Sequence, residues 1–113
     1  LVNVFADEAD VNRVLVDMPH CRMTRWYPYG VDIIAAGNSK AKGMERVLRY
    51  YGIDREEIIA FGDGENDMEM LAYAGIGVAM GNADPKVKEI ADYVTDSVGE
   101  GGITHALQHF KLI

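Results

Sequence analysis

The spacing of apolar and polar residues changes near residues 36–38, and this change predicts two segments of different architecture. Before it, one alternating run, one run with helical spacing and two further apolar runs predict the order β-α-β-β. The predicted elements are a strand at 1–5, a helix at 8–18, and strands at 21–27 and 31–35. The break Pro28-Tyr29-Gly30 indicates a hairpin between the last two strands. The first segment is therefore expected to be a small mixed α+β unit. Its hairpin aromatics, Trp26, Tyr27 and Tyr29, are expected to pack against a neighbouring helix, with the lining of a pocket as the alternative.

After this point, helical and strand-like patterns alternate to the end of the chain. Asn38 or Ser39 can cap the first helix, and Gly52 supplies its C-terminal stop. The predicted elements are helices at 40–51, 66–74, 85–91 and 103–110, and strands at 58–61, 76–80 and 93–95. Alternating helices and strands predict a parallel sheet with right-handed crossovers. The fold class is therefore α/β, with a Rossmann-like second segment.

The stretch at 58–71, IIAFGDGENDMEML, carries the candidate chemistry of the second segment. A short apolar run that ends at Gly-Asp-Gly and continues with helical spacing predicts a buried strand, a tight loop and a helix. The loop contains Asp63, Glu65, Asn66 and Asp67, and ligands bind at the carboxyl ends of strands in open α/β sheets. Mg2+ is usually held by one or two carboxylates together with a substrate phosphate. The sequence therefore predicts a Mg2+ site on this loop.

Two other interpretations of the acidic loop explain less of it. Acidic residues often cap the N-terminus of a helix, but capping accounts for one carboxylate and not for the whole cluster. A calcium-binding EF-hand loop also places acids at alternate positions. However, Met68 stands where that loop needs glycine, and no glutamate closes the loop at the required spacing.

Three further residues are candidates for contact with a bound anion. Lys40 and Lys42 lie in the first turn of their predicted helix, where a cation opposes the helix dipole. A lysine is favourable there when it serves an anion, such as a phosphate shared between the helix terminus and a nearby metal; otherwise it is a solvated side chain. Asn82 follows the predicted strand at 76–80, where it either lines the same sheet edge or only shapes a turn.

Composition excludes several classes of function. The net charge of -7 and the pI near 4.8 argue against a nucleic-acid partner, because binding a phosphate backbone needs a basic face. The single cysteine, Cys21, cannot form an internal disulfide and fits a reducing compartment. No apolar run approaches the roughly 20 residues of a membrane span. We therefore expect a cytoplasmic protein with no membrane partner.

Four motifs of the second segment occur together and in a characteristic order: GDGENDMEML, AGIGVAMGNA, ADYVT and a glycine-rich segment before the last helix. In this respect the chain closely resembles the carboxyl-terminal half of Cof-type phosphatases. These belong to subfamily IIB of the haloacid dehalogenase (HAD) superfamily and carry an α/β cap inserted in the core. The resemblance implies that residues 1–36 are the carboxyl-terminal part of the cap and residues 37–113 the carboxyl-terminal part of the HAD core.

The resemblance also implies an activity, namely Mg2+-dependent hydrolysis of phosphomonoesters through an aspartyl-phosphate. The substrates would be small phosphometabolites such as sugar phosphates. By position, Asp63 would be the acidic Mg2+ ligand, and Asp67 would support the metal's water shell and hold a catalytic lysine. Asn66 and Asn82 would lie near the phosphate or against the groups that bind the metal.

The catalytic lysine of the family aligns with Lys40, and Lys42, directly before a glycine, is the alternative. The family's nucleophile and acid/base lie in an Asp-x-Asp motif, which is absent from these 113 residues. We therefore expect the chain, which starts at Leu1, to be an inactive fragment of a longer enzyme. Two alternative functions are a truncated, non-catalytic binding or scaffold module, and a phosphotransferase or phosphomutase on the same core.

Overall fold

A computed structural model describes all of residues 1–113, and the chain forms two compact units. The first unit is Leu1–Ser39 and the second is Lys40–Ile113. Each has its own three-stranded sheet. The two units are described in turn.

The first unit is an antiparallel sheet with one helix. Its elements are β1 (Val2–Phe5), α1 (Glu8–Leu15), β2 (Cys21–Tyr27) and β3 (Gly30–Ala35). The central strand is β3, which pairs with β1 on one side and β2 on the other. The predicted order β-α-β-β is therefore present, with the hairpin formed by β2 and β3.

Helix α1 ends earlier than the sequence predicts. Asp7 caps its start by accepting a hydrogen bond from the Asp10 backbone N–H at 2.8 Å. At the other end, the N–H of Asp17 bonds to the carbonyl of Val14 and the next N–H bonds to that of Leu15. These bonds span three residues instead of four, so the chain tightens into turns and leaves the α-helical path before residue 18.

The hairpin is organised by Trp26, whose ring lies over Gly30. A Cβ atom built on Gly30 would lie 2.9 Å from Cζ2 of this ring, so the indole fills the space of the missing side chain. The indole N–H donates to the Asp32 carboxylate at 3.2 Å, and the Trp26 and Phe5 rings pack in a T-shaped arrangement. The expectation that the hairpin aromatics pack against a helix is not met, because Tyr27 and Tyr29 are exposed.

The second unit alternates helices and strands around a parallel sheet. Its elements are α2 (Lys40–Tyr51), β4 (Ile59–Gly62), α3 (Met68–Tyr73), β5 (Ile76–Ala79), α4 (Pro85–Ile90), β6 (Tyr93–Val94) and α5 (Gly102–His109). Three short 3-10 turns lie at Arg55–Glu57, Glu65–Asp67 and Val98–Glu100. The strands pair in parallel in the order β4-β5-β6, which confirms the predicted α/β class.

The core of the second unit is formed by small and branched apolar side chains. Leu71, Val78 and Val87 are fully buried, and Ala60 and Ala79 fill the spaces between them. The small side chains allow the helices to lie close to the sheet, which holds the strand ends in fixed positions. No helix in the chain has the combination of length and apolar surface needed to cross a membrane.

The predicted helix at 66–74 begins later, at Met68, because a 3-10 turn precedes it. The N–H of Asp67 bonds to the carbonyl of Gly64 at 2.9 Å, which closes a tight turn over Glu65–Asp67. The Asp67 carboxylate also accepts hydrogen bonds from two backbone N–H groups of the same loop. The loop that carries the acidic residues is therefore a compact, hydrogen-bonded turn.

Candidate active site

Two loops of the second unit meet at the carboxyl edge of its sheet. The strands β4 and β5 run in parallel, so the residues that follow Gly62 and those that follow Ala79 leave the sheet on the same side. The N–H of Met80 bonds to the Gly62 carbonyl at 3.0 Å, and the N–H of Asp84 bonds to the Asp63 carbonyl at 3.1 Å. These bonds fix the loop after β4 against the loop after β5.

Asp67 is the centre of the first loop. It is buried, with 6% of its surface exposed, and its Oδ2 atom accepts hydrogen bonds from the backbone N–H groups of Asp63 at 3.1 Å and Gly64 at 3.2 Å. Its Oδ1 atom accepts a hydrogen bond from the Lys40 ammonium. A buried carboxylate is stable when it is paired and hydrogen-bonded in this way. Asp67 therefore shapes the loop and holds the lysine.

The absence of a side chain at residue 62 makes room for this carboxylate. A Cβ atom built on Gly62 would lie 2.5 Å from the Cβ and 2.9 Å from the Cγ of Asp67. Such distances are too short for two carbon atoms that are not bonded to each other. The side chain of Asp67 thus stands where a side chain at residue 62 would stand.

Lys40 is the first residue of α2, and the first turn of this helix contains no acidic residue. Its anionic partner is instead Asp67, 27 positions further along the chain. About half of the Lys40 side chain (49%) is exposed, so its positive charge is also accessible from solvent. Lys42 is exposed on the same helix. The pairing with Asp67 brings the ammonium group of Lys40 to the acidic loop.

Asp63 is exposed at the end of β4 and is oriented by Asn82. The amide nitrogen of Asn82 donates to Oδ2 of Asp63 at 3.0 Å, and the amide oxygen of Asn82 accepts the backbone N–H of Val98 at 3.0 Å. Asn66 is half-buried in the 3-10 turn, with its side-chain oxygen over Gly64. Four of the predicted residues thus form two pairs, Lys40 with Asp67 and Asp63 with Asn82.

Two contributors to this edge were not found from the sequence. Lys86 donates to the carboxylate of Glu65 at 3.1 Å, which links α4 to the acidic loop. The Val98 N–H, which holds Asn82, is a backbone group and has no sequence signature. The only sequence signal for the contact between Lys86 and Glu65 was an acidic residue on the loop and a lysine near the start of the helix after β5.

The oxygen atoms at this edge are of the type that Mg2+ prefers. No group of three or more His, Cys, Asp or Glu side chains is arranged to hold a metal ion. Because both oxygens of Asp67 accept hydrogen bonds, Asp63 is the more available carboxylate. A single available carboxylate fits Mg2+, which keeps several waters and is completed by a substrate phosphate.

Comparison with known proteins identifies the family. A sequence model described as haloacid dehalogenase-like hydrolase matches residues 2–107. The chain belongs to this family. A Geobacillus stearothermophilus protein from the pdhA 5′ region is 49% identical to this HAD chain over 92 residues, which are 81% of the chain and 97% of that protein. The Bacillus subtilis 5-amino-6-(5-phospho-D-ribitylamino)uracil phosphatase YitU is 48% identical over 80 residues, which are 71% of the chain and 30% of YitU.

A solved structure agrees with the HAD assignment at the level of the fold. The subclass IIB sugar phosphatase BT4131 matches with a TM-score of 0.92 and 46% identity over 98% of the chain. The match covers 43% of BT4131, so the chain spans less than half of this relative. The resemblance to subclass IIB HAD phosphatases that the motifs indicated is thus confirmed.

Proposed function

We propose that this chain supplies the Mg2+ ligand and the lysine of a phosphatase that acts on small phosphorylated metabolites. The observation that carries the proposal is the arrangement of Lys40, Asp67 and Asp63 at one sheet edge. A buried carboxylate fixes both an ammonium group and the backbone N–H of the residue that carries an exposed carboxylate. Such an arrangement suits an anionic substrate that is bound together with a divalent cation.

Each of these side chains has a separate role in the proposed reaction. Asp63 holds the cation, and Asp67 keeps Asp63 and Lys40 at a fixed separation. The Lys40 ammonium lies beside the phosphoryl group and offsets its negative charge, which otherwise repels an attacking carboxylate. When bound, Mg2+ supplies further positive charge against the phosphoryl oxygens.

The proposed reaction also needs two carboxylates that these 113 residues do not contain, since no Asp-x-Asp is present. One carboxylate attacks phosphorus, forming an O–P bond while the ester O–P bond breaks, and the other gives a proton to the leaving alkoxide. Water then attacks the aspartyl-phosphate, releases phosphate and restores the carboxylate. We therefore propose that other residues supply this pair, that the chain alone is inactive, and that its first unit is the end of a cap.

The relatives support phosphorylated metabolites as the substrate class. BT4131 is described as a sugar phosphatase, and YitU as a phosphatase of a phosphoribitylamino-uracil. Both names describe a phosphomonoester on a small polyhydroxylated molecule. We propose the same general class for the enzyme to which this chain contributes.

The test is the hydrolysis of p-nitrophenyl phosphate and of a panel of sugar phosphates by the complete encoded polypeptide. We expect Asp63→Asn and Lys40→Met to lower kcat/KM by about 100-fold or more, as the loss of a main electrostatic contact does. Asp17→Asn, which changes the same chemical group in the first unit, is the matched control and should retain full activity. The isolated 113 residues should release no phosphate above background.

Two results would contradict the proposal. Full activity of Asp63→Asn in the presence of Mg2+ would remove Asp63 from the site. Transfer of the phosphoryl group to an added alcohol or sugar in preference to water would instead identify a phosphotransferase. Measurement of both free phosphate and phosphorylated acceptor separates these outcomes.

A further inference from the structure

The Asn82 side chain links Asp63 to the 3-10 turn at Val98–Glu100. Its amide oxygen accepts the Val98 N–H, and its amide nitrogen donates to one carboxylate oxygen of Asp63, Oδ2. Both distances are 3.0 Å. The amide therefore has a defined partner on each side.

The chemistry of these two partners permits only one orientation of the amide. A backbone N–H can only donate a hydrogen bond, and an ionised carboxylate can only accept one. The side chain between them must accept on one side and donate on the other. Asn82 does both, and the Val98 N–H decides which end of its amide faces Asp63.

We propose that Asn82, held by the Val98 N–H, is a positioning residue that presents a single oxygen of Asp63 to the cation and thereby favours Mg2+ over Ca2+. The inference rests on the proposed role of Asp63 as the Mg2+ ligand. Because Oδ2 is engaged by Asn82, Oδ1 is the oxygen left for the cation. The Asp63 carboxylate therefore binds the cation through a single oxygen atom.

Binding through one oxygen distinguishes the two cations. Mg2+ requires a nearly regular octahedron and keeps most of its waters, so one carboxylate oxygen suits it. Ca2+ accepts more ligands and often takes both oxygens of a carboxylate. Loss of the Asn82 hydrogen bond frees Asp63 to rotate and to offer both oxygens, which raises the affinity for Ca2+ relative to that for Mg2+.

The test is a pair of NMR titrations of the 113-residue chain, one with MgCl2 and one with CaCl2, followed through the backbone amide signals of Asp63 and Gly64. The measured quantity is the ratio of the Ca2+ Kd to the Mg2+ Kd. Asn82→Ala should lower this ratio roughly tenfold, at the low end of the effects of residues that orient a metal ligand. Asp63→Asn should abolish the saturable shifts of both titrations.

A second variant removes the Val98 N–H and leaves Asn82 in place. In Val98→Pro the new proline occupies the first position of the 3-10 turn, which proline favours. The preceding residue, Ser97, has φ -65° and ψ 158°, which are the angles that a following proline requires. Since the Val98 side chain is 69% exposed, its loss leaves the core intact. Val98→Ala keeps the N–H and is the matched control.

We expect Val98→Pro to lower the Kd ratio in the same direction as Asn82→Ala, and Val98→Ala to leave it unchanged. An unchanged ratio in both Asn82→Ala and Val98→Pro would overturn the inference while Asp63 remained a cation ligand. Mg2+ shifts that persist in Asp63→Asn, or no saturable shifts in the unmodified chain, would overturn both the inference and the assignment of Asp63 as ligand. The ratio is compared only for variants whose amide spectra show a folded second unit.

Discussion

Gly62→Ala adds one methyl group at the point where Asp67 is packed most tightly. The new Cβ would lie 2.5 Å from the Cβ of Asp67 and 3.0 Å from its Oδ2. Ordinary contacts begin near 3.4 Å, so either the backbone or the Asp67 side chain must move by about 1 Å. Movement of Asp67 weakens its bonds to the N–H groups of Asp63 and Gly64 and to Lys40.

The size of the effect follows from these contacts. Overpacking of a well-packed site costs about 1–3 kcal/mol. Because Gly62→Ala also weakens the hydrogen bonds of the Asp67 carboxylate, we expect a cost near the upper end of this range. Gly43→Ala adds the same methyl group at the fourth residue of α2, where a Cβ atom would meet nothing within 4 Å. Because alanine is the better helix former, this control should stabilise the unit by about 0.5–1 kcal/mol.

Amide hydrogen exchange at Val78 and Ala79 measures the effect in the second unit alone, because both residues lie in the buried strand β5. We expect Gly62→Ala to lower the free energy of opening by about 2–3 kcal/mol and Gly43→Ala to raise it slightly. If Gly62→Ala exchanges at the unmodified rate, or if both variants are destabilised equally, the steric explanation of this glycine is wrong.

Two further substitutions test contacts elsewhere in the chain. Gly30→Ala places a methyl group 2.9 Å from the Trp26 ring, so it should shift the fluorescence of this single tryptophan and destabilise the first unit by about 1–3 kcal/mol. Gly37→Ala, whose new Cβ would meet no atom within 4 Å, should do neither. Equal fluorescence spectra for the two variants would refute the contact between Gly30 and Trp26. Thr95→Val removes the buried hydroxyl that donates to the Gly102 carbonyl at 2.7 Å, which should lower the unfolding free energy of the second unit by about 1 kcal/mol in urea denaturation. Thr95→Ser keeps a hydroxyl and should retain most of this stability. If Thr95→Ser loses as much stability as Thr95→Val, the hydroxyl is not responsible.

Local patterns in the sequence were sufficient to predict most of the fold. The strand Cys21–Tyr27 was predicted with its observed bounds, and the alternation of helices and strands after residue 37 gave the parallel sheet. These features depend on neighbouring residues, so the sequence records them directly. The early end of α1 and the 3-10 turn before Met68 depend on which carbonyl each N–H selects, a choice that apolar spacing does not encode.

The family resemblance pointed to the residues of the candidate site, whereas local patterns along the chain say little about how those residues connect. Local patterns mark Lys40 and Asp67 as chemically notable. Only the family resemblance implied that Asp67 holds the lysine, because the pairing requires two elements separated by 27 positions to meet. The orientation of Asn82 depends on the backbone N–H of Val98, and any residue other than proline carries such a group. Side-chain identity can suggest the members of a site, whereas backbone donors become evident only once the chain is folded.

The position of Lys40 at the border of the two units has a practical consequence for dissecting the chain. It is the first residue of the second unit, and it is also the residue whose ammonium neutralises the buried Asp67. A recombinant fragment that starts at Ala41 would therefore retain every strand of the parallel sheet but leave a buried carboxylate without its cation. Limited proteolysis with trypsin, which cleaves after lysine, would produce the same defect, so the second unit should be isolated with a cut before Lys40.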